Sequence, residues 1–236
     1  MDFVSNRDNT QCRNELSPMK RFSCKRLLSA HLKPKFVLPR AVGVNPTRIL
    51  DIGIANDSYV ECKAIYPHAE YHGLDCFDYE VKMLPTDYFH LRDLEDPRSL
   101  INLPGNYDLI IANHVLEHVK RGEETFSQLC DLLAPGGVLY VEIPSIRTAS
   151  SVKRAGRYHF HDDATHCTFY SLESMANIAI RRNCNVVSCG PVSTLLKDVF
   201  SFPRAFFSVV RGDDWGPYLL HWQKKIDHIM IRRCAN

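Results

Sequence analysis

The chain has 236 residues, a formal net charge of +2, 45% hydrophobic residues and 24% charged ones. That length buries one sizeable core, and the balance is that of a soluble globular domain. Nine cysteines are scattered without a CxxC pair, which excludes a disulfide framework and a structural zinc pattern and points to a reducing cytoplasm.

No apolar run reaches the roughly 20 residues of a spanning helix. The polar start "MDFVSNRDNTQCRN" has no apolar signal region. Residues 1–48 hold ten Lys/Arg against Asp2, Asp8 and Glu15, read first as a solvated helical face and second as contact with an anionic partner. Residues 1–14 read as a tail. "SPMKRFSCKRLLSAHL" (17–32) has the pattern of a basic helix, so 1–45 is set apart from a domain spanning 46–236.

Within that domain strands and helices alternate, which predicts a parallel α/β sheet. An apolar strand over 48–52 leads into a helix over 58–66, with Ser58 and Glu61 spaced as a capping box. "EYHGLDC" is a second strand ending at Asp75, and "YFHLRDLED" a third. "YDLIIANHV" is apolar throughout its middle, the mark of a strand buried on both faces. A helix over 123–133, stopped by "APGG", precedes the strand "VLYVEIP", which Pro144 ends. A helix over 171–182 follows, then "NVVSCGPV" and "KIDHIMIRRC", expected as an antiparallel pair at the sheet edge. Residues 193–222 read as an apolar, aromatic insertion of two short helices around Pro203. It reads as a cover over the sheet edge, a lid or a homodimer surface, with peripheral membrane contact less favoured.

In an open parallel sheet, ligands gather beyond the carboxyl ends of the strands, where strand order reverses. A pyrophosphate there needs backbone N–H groups and no nearby carboxylate. Asp51 and Asp57 would repel such an anion and suit an ammonium instead, which argues against a nicotinamide dinucleotide. Gly53 keeps the permissive backbone of the turn, and Ala55 is the next smallest choice. Asp75, 22 residues after Gly53, suits ribose hydroxyls or, alternatively, caps a following helix.

Taken in order, "ILDIGIAND", "GLDCFD", "RDLED", "YDLIIANHVLEHV" and "LLAPGGVLYVEIP" resemble class I S-adenosylmethionine-dependent methyltransferases over about residues 46–190. The first loop departs from the family's D-x-G-x-G-x-G, with Ala55 and Asp57 at the second and third glycines. The resemblance implies a Rossmann-like α/β fold: a seven-stranded, mostly parallel sheet with an antiparallel edge hairpin and helices on both faces. It implies S-adenosylmethionine as cofactor. Asp51, Gly53 and Ala55 would hold its methionine end, Asp75 its ribose, and Cys76 or Phe77 would flank its adenine. Asp93 and Leu94 would touch the adenine edge and face. Asn113 and His114 would lie beside the sulfonium, with His118 one helical turn after His114. "HDDATHCTFYSLESMANIAIRRNCNVVSC" resembles a segment of members that act on small molecules, which implies a small-molecule or glycan acceptor.

Methyl displacement chiefly requires positioning and desolvation, and a hydroxyl acceptor also needs a base. His166 is the first choice and His118 the second, each weighed evenly against a histidine that only supports the loop. His159, His161, Asp162, Asp163 and His166 are dense enough to consider a metal, but alternation along an extended chain separates them. No metal is expected, and the stretch reads as an acceptor-facing loop. No N/D-P-P-Y/F motif follows the fourth strand, which argues against a nucleic-acid base as acceptor. The alternative reading is a non-catalytic binding subunit on the same fold.

Overall fold

The computed structural model describes residues 30–54, 57–78, 82–150, 159–192 and 226–235. The basic helix over 17–32 lies almost wholly outside them, as do Ala55 and the whole 193–222 insertion. A short helix α1 (Pro34–Ala41) starts on a proline at its first turn, where the missing N–H costs nothing. The remainder alternates as the sequence predicts: β1 (Arg48–Ile52), α2 (Ser58–Ile65), β2 (Glu70–Asp75), β3 (Tyr88–Leu91) and β4 (Tyr107–Asn113). Then come α3 (Gly122–Leu132), β5 (Leu133–Pro144), α4 (Arg147–Ser150), α5 (Leu172–Arg181), β6 (Cys184–Pro191) and β7 (Ile226–Arg233).

The seven strands form one sheet in the order β3-β2-β1-β4-β5-β7-β6. The first five are parallel, and β7 is antiparallel to both β5 and β6. Chain order reverses between β1 and β4, where the registers place Ile52 beside Ala112 and Leu74. The carboxyl ends of β1, β2 and β4 therefore open on one crevice.

Period-two alternation divides the strand residues between two cores. Ile49, Leu109, Ile111 and Tyr140 pack with Phe36 of α1 and Tyr59 and Cys62 of α2. Leu50, Ile110, Leu139 and Val141 pack with Phe126 and Leu129 of α3 and Met175 and Ile178 of α5. Each such fully buried aliphatic side chain contributes about 1.5–3 kcal/mol. At the opposite end of the sheet, Asp108 Oδ2 accepts from Thr47 N, Thr47 Oγ1 and Arg48 N at 2.7, 2.6 and 3.0 Å, pinning β1 to β4.

Three local expectations are corrected. Asp57 is the N-cap residue of α2 and makes no capping bond; Ser58 and Glu61 turn to other partners, described below. "APGG" does not form a loop after α3, because β5 already begins at Leu133 and carries it past a register shift opposite Tyr107 and Leu109. Gly137 is required there, since a Cβ would stand 2.6 Å from the Tyr107 carbonyl oxygen. Finally, β4 runs into no α-helix: His114 takes a left-handed φ of 55°, and Leu116–His118 is a single 3-10 turn.

Candidate active site

The crevice has two lobes that meet at Gly53. Gly53 has φ +72° and donates its N–H to the Leu74 carbonyl at 2.9 Å, so the turn after β1 is tied to β2. It is a position where the backbone needs glycine.

The first lobe, about 450 Å³, is lined by Lys33, Lys35, Asp51, Asp57, Glu61 and Asn113, among others. Asp51 is 1% exposed, and its Oδ2 accepts from Ser58 Oγ at 2.6 Å and Tyr71 Oη at 2.9 Å. Lys35 Nζ lies 2.9 Å from Ser58 Oγ, and Lys33 Nζ pairs with both Glu61 oxygens at 2.5 and 2.6 Å. Burial, and then the Asp51 charge, hold the Tyr71 hydroxyl and the Cys62 thiol protonated by raising both well above their usual ranges. Asn113 Oδ1 is buried with no hydrogen-bond partner among the described residues. A buried, unsatisfied acceptor of this kind is costly unless a ligand donor meets it.

Lys33 and Lys35 are functional candidates that sequence reasoning missed. The signal was present in "HLKPKF", but the basic run was read as a surface face rather than as one side of the cleft. Cations beside carboxylates suit a whole amino-acid zwitterion, not an ammonium alone.

The second lobe, about 400 Å³, is mostly apolar and is lined by Leu74, Asp75, Phe77, Leu94, Val115 and His118, among others. Cys76, Asp93 and His114 also border it. Asp75 is 8% exposed and accepts the Phe77 N–H at 3.0 Å through Oδ1; it caps a turn and not the expected helix, since no helix lies between β2 and β3 among the described residues. Asp93 is part of a turn, its Oδ1 accepting from Glu95 N at 2.9 Å. Burial raises the Cys76 thiol, with Asp75 and Asp93 adding to it, so Cys76 is a wall and not a nucleophile.

His114 and His118 both border this lobe, but through the left-handed kink and 3-10 turn rather than one helical turn. His114 Nδ1 lies 3.1 Å from Glu117 Oε1, and its Nε2 is 3.6 Å from Glu142 Oε2. His118 Nδ1 is 2.8 Å from Thr165 Oγ1, whose hydroxyl reaches Asp163 Oδ1 at 2.5 Å. His166 lies behind His118, with ring centroids 4.7 Å apart and its Nδ1 2.8 Å from the Phe160 carbonyl. The tertiary structure thus joins the two candidate bases, His118 and His166, from segments almost fifty residues apart. His159 and Asp162 instead cap the short turn Phe160–Asp162, and His161 is exposed. A larger groove of about 570 Å³ lies on α3 and α5, with no strand residue in its lining.

A sequence profile described as a methyltransferase domain matches residues 22–189, well over half of the chain. The chain belongs to this methyltransferase family. No curated protein matches it in sequence. Among solved structures, a SAM-dependent methyltransferase from Archaeoglobus fulgidus superposes with a TM-score of 0.56 at 16% identity, covering 84% of this chain and 92% of that one. The S-adenosylmethionine-dependent methyltransferase from Mesorhizobium loti gives 0.56 at 15% identity, over 86% and 98%. The [4+2]-cyclase SpnF gives 0.55 at 14%, over 88% and 82%. At these identities the likeness shows the fold alone.

The methyltransferase domain is of class I, with S-adenosylmethionine as its cofactor. Its cleft fits that group. The mixed charges and orphaned Asn113 Oδ1 match an amino-acid end, and the apolar lobe with Asp75 at its rim matches a nucleoside. No described helix is long and apolar enough to cross a membrane.

Proposed function

We propose that this methyltransferase domain transfers a methyl group from S-adenosylmethionine to an oxygen of a small-molecule or glycan acceptor. The bound cofactor supplies an electrophilic methyl on a sulfonium. Asn113, Asp51 and Lys35 hold its amino-acid end, Asn113 accepting from the ammonium and Lys35 facing the carboxylate. Gly53 lets the chain pass close, with Ala55 next along the same loop. Asp75 accepts from the ribose hydroxyls. Cys76, Phe77, Asp93 and Leu94 enclose the base, and His114 stands beside Asn113 at the reacting end.

The observation that carries the choice of an oxygen acceptor is the His118–His166 pair at the cleft wall. Thr165 Oγ1 gives its own proton to Asp163 and so accepts from His118 Nδ1–H. His118 Nε2 then carries the lone pair that removes the acceptor proton, with His166 packed behind to fix the ring. The Thr165 hydrogen bonds hold the Asp163 carboxyl below its usual range, so it stays an anion through neutral pH.

Calorimetry with S-adenosylhomocysteine, followed by transfer of radiolabelled methyl to panels of hydroxylated metabolites and saccharides, tests the proposal. Binding and O-linked label in wild type, with label lost in His118→Ala, is the expected result. Binding without transfer to any acceptor class would favour a non-catalytic binding subunit, the reading that Ala55 and Asp57 in place of loop glycines support.

A further inference from the structure

We propose that Glu117, His118 and His166 form a binding site for a divalent first-row transition cation at the wall of the methyl-transfer cleft. One ligand atom from each of the three lies within 4.8 Å of the others, the only such His/Cys/Asp/Glu group among the described residues. Metal–ligand bonds of about 2.0–2.2 Å put ligand atoms roughly 3–4 Å apart, so the group would have to draw together on binding. Only His166 belongs to the set His159, His161, Asp162, Asp163 and His166 weighed for a metal in the sequence. Glu117 and His118 come from the turn after β4.

Two further observations point to a cation. Glu117 is 1% exposed, and its Oε2 has no hydrogen-bond partner among the described residues. A buried carboxylate oxygen in that state is expensive, and a metal ion is the partner that best offsets the cost. Its Oε1 is meanwhile steadied by His114 Nδ1 at 3.1 Å.

The second observation is the tautomer of each ring. A carbonyl oxygen only accepts, so His166 Nδ1 donates to Phe160 O at 2.8 Å, while its Nε2 faces Asp163 Oδ2 at 3.8 Å. His118 Nδ1 donates to Thr165 Oγ1 at 2.8 Å, since that hydroxyl's proton is committed to Asp163. In the neutral form each ring therefore carries its lone pair on Nε2. An Nδ1–H tied to a carbonyl or a hydroxyl–carboxylate pair is the outer arrangement that orients metal-bound imidazoles.

Two imidazoles and one carboxylate leave coordination positions open, and His118 borders the cleft on that side. The role of the ion rests on the proposed methyl transfer. It would take an acceptor oxygen as a further ligand and favour its ionised form, the proton leaving to solvent water. The histidine pair would then act as ligands rather than as the base. A vicinal diol or similar chelating acceptor is the substrate class that such a site selects.

The test uses the full chain, stripped with chelator and titrated with MnCl2 and CoCl2 by calorimetry and by Co²⁺ visible absorption. One equivalent should bind. Glu117→Gln and His166→Gln should weaken binding by about 100-fold or more, and Thr165→Val by about tenfold. Thr165 is on the loop surface, so T165V answers the question should the buried variants fail to fold, which a thermal melt will show. S-adenosylhomocysteine is titrated separately into wild type and E117Q. No saturable Mn²⁺ or Co²⁺ binding by wild type, or binding unchanged in all three variants, overturns the site. One-equivalent binding lost in the variants upholds it even if S-adenosylhomocysteine does not bind, in which case only the cofactor reading fails.

Discussion

A Cβ placed on Gly53 would stand 2.3 Å from Val115 Cγ2, so the loop after β1 and the turn after β4 touch at the centre of the cleft. The φ of +72° adds a second reason for glycine. Gly53→Ala should therefore cost about 2–4 kcal/mol from strain and overpacking together. Chemical denaturation checks the stability, and calorimetry should show S-adenosylhomocysteine binding lost. Adding Val115→Ala should recover part of the stability by removing the clash while the backbone strain stays. No recovery would mean that the contact is not the cause.

Asp75 faces the second lobe beside the nucleoside-sized apolar walls. Two charge-assisted hydrogen bonds to ribose hydroxyls are worth about 1.5–3 kcal/mol each. Asp75→Ala should weaken S-adenosylhomocysteine by about 100-fold or more, with a smaller loss for the 2′-deoxy analogue. Equal losses for both ligands would remove Asp75 from the ribose.

Lys35 is 7% exposed and reaches the methionine lobe through Ser58. Lys35→Met should weaken S-adenosylhomocysteine about tenfold, the value of one charge-assisted bond. Affinity for 5′-methylthioadenosine, which lacks the amino-acid end, should be unchanged. A parallel loss for both would assign Lys35 to the stability of the lobe and not to the carboxylate.

His90 stacks on His72, with His72 Nδ1 3.0 Å from His90 Nε2 and His72 Nε2 2.7 Å from Glu70 Oε1. Burial, then the neighbouring His72 and Arg92, lowers the His90 pKa from 6.5 to about 4. The unfolded chain then binds more protons than the folded one between those values, so stability falls as pH falls through that window. After discounting for partial exposure, the loss is about 1 kcal/mol. Burial lowers His228 from 6.5 as well, in the same sense. Urea midpoints from pH 7.5 down to 4 should decline in wild type and decline less in His90→Gln. Parallel profiles would exclude His90 as the source.

Strand and helix identity were legible because each rests on short-range periodicity. "YDLIIANHV" and "VLYVEIP" are apolar on both faces only because the sheet is covered on both, and they occupy its middle. Asp51 and Asp75 were legible because a strand end at a switch point places a carboxylate in the crevice wherever its neighbours lie. Ser58 was misread because a capping box is a spacing rule. Its hydroxyl donates to buried Asp51 instead of accepting a backbone N–H of its own helix.

The sequence by itself determined the strands, the helices between them and the crevice at the strand ends, since periodicity and loop position are local properties. Only the tertiary structure decided what lines that cleft across long separations. Lys35 comes to Ser58 from 23 residues away, and Thr165 comes to His118 from 47. Glu117, which no motif in the sequence singled out, is held inside by the 3-10 turn that replaces the expected helix. Its carboxylate stands beside two imidazoles only where β4's turn meets the loop before α5, because such a cluster is set by contact in space and leaves no period in the chain.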